Sequence, residues 1–118
     1  MKKFLLILNR QPYDNTDVSW NALRLAKQLH GDGASVSIFL MNDAVDLARD
    51  ICIAPEGVED QVKMLKKLIS LNVVVEVCGT CMSRCGIHKN HPYYAGANKS
   101  TMAKLSSLVL ESDQVLTF

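Results

Sequence analysis

Three of the chain's four cysteines fall within eight residues, in Cys78-Gly79-Thr80-Cys81-Met82-Ser83-Arg84-Cys85. They follow at once on Val73-Val74-Val75-Glu76-Val77, an apolar run that reads as a buried strand. Thiols set where a strand gives way to a loop are placed for sulfur or metal chemistry rather than for packing. Three chemistries fit. In the first, a thiolate attacks a donor persulfide and keeps the terminal sulfur as Cys–S–SH. That calls for a partly exposed cysteine whose charged form is stabilised nearby. Cys78 suits this role, because Gly79 behind it permits positive φ and close approach of a partner's sulfur. Arg84 supplies positive charge, and Cys81 is placed to act as a resolving thiol.

The second chemistry is dithiol–disulfide exchange. Cys78-Gly79-Thr80-Cys81 has the two-residue spacing of redox motifs. The motif comes late in the chain, however, and the remaining elements do not follow a thioredoxin-like strand order. The third is a metal site. Cys78, Cys81, Cys85, His88 and His91 recur every three or four residues, the spacing of one helical face, and Cys with His is a zinc donor set. Gly86 and Pro92 interrupt any helix through all five, and structural zinc sites draw their ligand pairs from two separated segments. Cys52, between Ile51 and Ile53, reads as a small buried hydrophobe. Asp43 reads as a helix cap before it reads as an acid, and His30, His88 and His91 as loop or helix-end residues.

The elements that must position these thiols are legible. Phe4–Leu8, Val36–Met41, Val73–Val77 and Val115–Phe118 read as buried strands. Between them lie three apolar faces at helical spacing: Val18, Ala22, Leu25, Ala26 and Leu29; Val58, Val62, Leu65 and Ile69; and Met102, Leu105 and Val109. Continuous apolar strands alternating with helices predict an α/β fold with a mainly parallel sheet covered on both faces. Asn15 or Thr16 is expected to cap the first helix, with Gly31 and Gly33 ending it. Asp43 is expected to cap a short helix through Arg49, and Glu59 and Asp60 to open the next. Lys63, Lys66 and Lys67 read as a solvated helix face. Residues 86–99 read as a loop. In such a sheet, chemistry gathers beyond the C-terminal ends of the strands. Three loops meet that description: residues 9–16, residues 42–43 and the one beginning at Cys78.

The 118 residues fit one domain, 1–118, with a substantial core. The net charge of +1 gives no basic footprint for nucleic acid. The N-terminal apolar run is too short for a secretory h-region and stops at Asn9-Arg10-Gln11. No run approaches the ~18 apolar residues of a membrane span. A cytoplasmic chain with reduced thiols is the expectation.

Asn9-Arg10-Gln11-Pro12-Tyr13 after the first strand, Phe39-Leu40-Met41-Asn42-Asp43-Ala44-Val45 at the second, Cys78-Gly79-Thr80-Cys81 at the third and Val115-Leu116-Thr117-Phe118 at the end resemble the DsrE/DsrF family, most of all its small YchN-like members. The resemblance runs the whole length, in order. It implies a three-layer α/β/α fold with four to five mainly parallel strands, and homo-oligomers built as trimers or hexamers. It implies a sulfurtransferase-like relay in which Cys78 accepts persulfide sulfur from a donor protein and hands it to an acceptor protein, with Cys81 as companion. Gly79, Arg84, Cys85, Pro12, Tyr13 and Asp43 are the candidate supporting residues. No cofactor is implied. The alternative reading keeps an oligomeric scaffold with zinc on Cys78, Cys81, Cys85 and His88, and thiol–disulfide exchange comes third. Family members commonly carry an arginine where this chain has Cys85.

Overall fold

The computed structural model describes residues 1–49, 52–84 and 94–118. Its five strands are β1 (Lys3–Leu8), β2 (Ser35–Leu40), β3 (Val74–Cys78), β4 (Ala97–Ser100) and β5 (Gln114–Thr117). They form one all-parallel sheet in the order β4-β3-β2-β1-β5. The helices are α1 (Val18–Gly31), α2 (Gln61–Ser70), α3 (Gly79–Arg84) and α4 (Met102–Glu111), with a 3₁₀ segment over Asn42–Ala48. The expected three-layer α/β/α architecture is present.

Connection direction decides the layers. From β1 to β2 to β3 the chain steps one way across the sheet, whereas β4 to β5 returns the other way. Right-handed crossovers then put α1 and α2 on one face and α4 on the opposite one. Register sorts the strand residues accordingly. Leu6 and Leu8 lie beside Ile38 and Leu40, and these beside Val75 and Val77. All six are at most 1% exposed, as expected under two helices. On the other face Leu5 and Ile7 lie beside Ser37 and Phe39, and these beside Val74 and Glu76. There α4 presents only Leu105 and Leu108 as buried apolar residues. Val74 is left 44% exposed.

Local chemistry explains the helix boundaries. Asp60 caps α2 by accepting from the Lys63 N–H at 3.1 Å, an arrangement that contributes about 1 kcal/mol. Thr101 does the same for α4 through the Lys104 N–H. Helix α1 begins differently from expectation. Asp17 holds the capping position without a side-chain bond, while the Thr16 hydroxyl, itself held by Asp14, takes the Val18 N–H at 3.4 Å. Val58 lies outside α2 and is 48% exposed, so the second apolar face starts at Val62. Leu23, absent from the expected face of α1, is fully buried.

Three further expectations are corrected. Residues 97–100 pair with β3 as an edge strand, although 97–99 were expected in a loop; Ala-Asn-Lys-Ser has no β-like composition, and only the pairing with β3 makes it a strand. Asp43 does not hold the N-cap position: the segment opens at Asn42, is preceded by Met41, and holds Asp43 inside its first turn. That segment ends at Ala48, one residue short of Arg49, which is fully buried and pairs with Asp46 at 3.3 Å.

Candidate functional site

Strand β3 runs one residue further than its apolar pattern, so Cys78 is its last residue and Gly79 the first of α3. Parallel pairing sets Cys78 directly beside Ser100 of β4. The abrupt change from strand to helix folds the chain back on itself, and the Cys81 N–H reaches the Cys78 sulfur at 3.4 Å. The Cys81 sulfur in turn accepts the Asn42 N–H at 3.2 Å. A main-chain N–H aimed at sulfur stabilises negative charge there, during attack or release.

Asn42 links this pair to the rest of the sheet end. Its backbone is left-handed (φ 50°), a conformation Asn tolerates better than most residues. Its side-chain amide donates to the Asn9 Oδ1 at 2.9 Å, and Asn9 donates to the Phe118 carbonyl from both its main chain and its side chain. The ends of β1, β2, β3 and β5 are thus tied together, and the three loops singled out in the sequence meet at one rim.

The role expected of Gly79 is corrected. Its φ is not among the positive values, so conformational freedom is not what the position requires. A Cβ there would stand 2.9 Å from the Ser100 carbonyl oxygen and 3.1 Å from the Lys99 side chain. Gly79 is small because β4 passes over it, and the space foreseen for a partner's sulfur is filled by this chain. The exposure of Cys78 is corrected too. It is 8% exposed and Cys81 9%, so both thiols lie at the edge of the core rather than on an open rim.

The same sheet face carries two polar groups that the sequence pattern alone did not single out. Glu76, two residues before Cys78, is 7% exposed with its Oε2 unpartnered, and Ser100 is 7% exposed with its hydroxyl unpartnered. A glutamate inside an otherwise apolar strand was the available signal for the first. Nothing in Ala97-Asn98-Lys99-Ser100 announced the second.

The supporting residues differ in setting. Pro12 is buried. Tyr13 sits in left-handed backbone (φ 61°) and its hydroxyl accepts the Gln61 N–H at 2.8 Å, joining the β1–α1 loop to the start of α2. Asp43 is exposed. Arg84 ends α3. Cys85, His88 and His91 lie outside the described residues. Among the described residues no three His, Cys, Asp or Glu side chains converge as metal ligands. Cys52 is half-buried rather than buried, and its thiol meets the Asp46 carbonyl at 3.7 Å. Burial pushes that thiol up from its ordinary value; Asp46 adds to the rise and Arg49 opposes it. Among the described residues no helix is long and apolar enough to cross a membrane.

Comparison with known proteins covers nearly the whole chain. Residues 2–118 match the model of the DsrE/DsrF-like family. An uncharacterized protein of Methanocaldococcus jannaschii is 36% identical over 116 residues, covering 98% of this chain and 99% of its own. Protein YchN of Escherichia coli K12 is 34% identical over 120 residues, with both chains fully covered. The crystal structure of the Escherichia coli YchN protein superposes with a TM-score of 0.89 at 33% identity over all of both chains. A conserved protein of unknown function from Bacteroides thetaiotaomicron shares the fold at 16% identity, with a TM-score of 0.66 over 99% of this chain and 95% of that one.

Proposed function

The chain belongs to the DsrE/DsrF-like family, and from that membership we propose that it is a sulfur-relay protein with Cys78 as the persulfide carrier. The Cys78 thiolate attacks the outer sulfur of a donor persulfide. A new S–S bond forms to Cys78, the donor's S–S bond breaks, and the donor leaves as a thiolate. No net oxidation occurs. The acceptor then takes the same sulfur by the reverse step. The observation that carries this reading is the hydrogen bond from the Cys81 N–H to the Cys78 sulfur at 3.4 Å, which steadies charge as it develops on that atom. Cys78 is 8% exposed, so the donor persulfide must reach a thiol at the edge of the core. Cys81 stands within reach to resolve the persulfide.

The proposal extends to assembly and setting. Val74 and Val115, both on the thinly covered sheet face, and Met102 and Leu110 on α4 are exposed apolar side chains that a homo-oligomer, trimer or hexamer, would cover. A reducing cytoplasm would keep the thiols free.

The test is sulfur loading followed by intact mass. Reduced protein treated with a persulfide donor should gain sulfur, lose it to reductant, and fail to gain it as Cys78→Ala. A gain that persists unchanged in Cys78→Ala refutes the assignment. Zinc at near-stoichiometric level in protein purified without added metal would favour the scaffold reading on Cys78, Cys81, Cys85 and His88 instead.

A further inference from the structure

A second feature lies beside α2, lined by neither Cys78 nor Cys81. The β1–α1 loop, the start of α1 and the segment before α2 enclose a cleft of about 370 Å³. Tyr13, Trp20, Pro55 and Val58 give it flat and apolar walls. Asp17 and Glu59 are its charged lining groups, and no basic side chain lines it among the described residues. Arg24 stacks on the Trp20 ring, 4.4 Å from the centroid, but does not line the cleft.

The polar groups here are acceptor-rich. Gln61 lines the cleft and is 3% exposed, and its amide oxygen has no hydrogen-bond partner. A buried acceptor left so costs about 1–3 kcal/mol. The terminal torsion of a glutamine is soft, so the amide can turn its oxygen toward an incoming donor at little cost. The nearby N-terminus of α2 does not reverse this preference. Its Gln61 N–H is taken by the Tyr13 hydroxyl and its Lys63 N–H by Asp60. The Trp20 indole N–H is taken by Glu59 at 3.0 Å. These three N–H donors are committed; the Gln61 and Asn15 side-chain amides can present either end to a ligand, and the Asp17 and Glu59 carboxylates tip the lining toward acceptors.

We propose that this cleft binds a small organic cation bearing N–H donors on a flat apolar body, the class of aryl amidines. The apolar body lies among Trp20, Pro55 and Val58, and the N–H groups reach Gln61 and Glu59. Nothing in the site depends on Cys78, so it stands or falls apart from the relay.

Trp20 is the chain's only tryptophan, so its fluorescence reports on the cleft directly. The full chain is titrated with benzamidine and, separately, with benzoate, by calorimetry and by Trp20 fluorescence. Benzamidine should bind saturably and benzoate roughly tenfold or more weakly, the difference one charge-assisted hydrogen bond makes. Glu59→Gln keeps an acceptor for the indole but removes the charge, and should weaken benzamidine roughly tenfold. Gln61→Leu should weaken it too; if that variant fails to fold, Glu59→Gln carries the test. Cys78→Ala should change nothing. Benzoate binding as well as benzamidine, no saturable response to benzamidine, or unchanged affinity in Glu59→Gln overturns the proposal.

Discussion

The main-chain N–H of Cys81 points at the sulfur of Cys78 from 3.4 Å, and the sulfur of Cys81 answers the N–H of Asn42. The two thiols are therefore not equivalent. Cys78 is held by a backbone group that no side-chain substitution at 81 removes. Cys81 is itself an acceptor that tethers the start of the 3₁₀ segment. Cys81→Ala should keep sulfur loading on Cys78 but leave the Asn42 N–H without its sulfur acceptor, at about 1 kcal/mol of stability. Intact mass and chemical denaturation of the same variant check both halves.

Gly79 is constrained by β4 rather than by its own backbone. The Ser100 carbonyl lies 2.9 Å from the point a Cβ would occupy, so the methyl of Gly79→Ala must push β4 away from β3. A loss of about 1–3 kcal/mol is expected, the range for overpacking a tight site. Urea denaturation measures it. Unchanged stability would show that the edge strand yields freely.

Tyr13 makes alkaline stability a readout of the β1–α1 loop. Burial, the largest cause, raises its phenol above the ordinary 10.0; Asp60 and Cys52 add to the rise and the Gln61 N–H opposes it. Because the folded value is raised, folding favours the neutral phenol. That contribution is whole below pH 10 and is lost as pH climbs through the raised value. Tyr13→Phe should cost about 1 kcal/mol at neutral pH through the lost bond to Gln61. It should also flatten the decline above pH 10, as followed by stability measured against pH.

Glu76 is a buried carboxylate with one oxygen unpartnered in the single chain. Glu76→Leu removes that cost and extends the apolar strand, and a gain of about 1 kcal/mol is expected by denaturation of dilute protein. A loss of similar size would mean that the carboxylate is paired in solution, by a second copy covering the same face.

Much of this protein was legible in one dimension. The runs Phe4–Leu8, Val36–Met41 and Val73–Val77 are apolar because a parallel sheet is buried on both sides, and that pattern placed three strands to within a residue or two. Asp60 and the turn at Gly33 marked helix ends through capping and left-handed backbone, both local effects. Cys78 at the end of β3 followed from the same reasoning. What the sequence hid is non-local. Strand β4 exists only because β3 offers it an edge. The smallness of Gly79 answers to a carbonyl twenty-one residues away. Asn42, read only as part of a loop, bridges Cys81 and Asn9, because the ends of four strands converge on it. The depth of Cys78 depends on how completely neighbouring elements close over it, and no periodicity within one segment records that. Residue order set which atoms could do chemistry; packing of distant segments decided how far solvent, or a partner, can reach them.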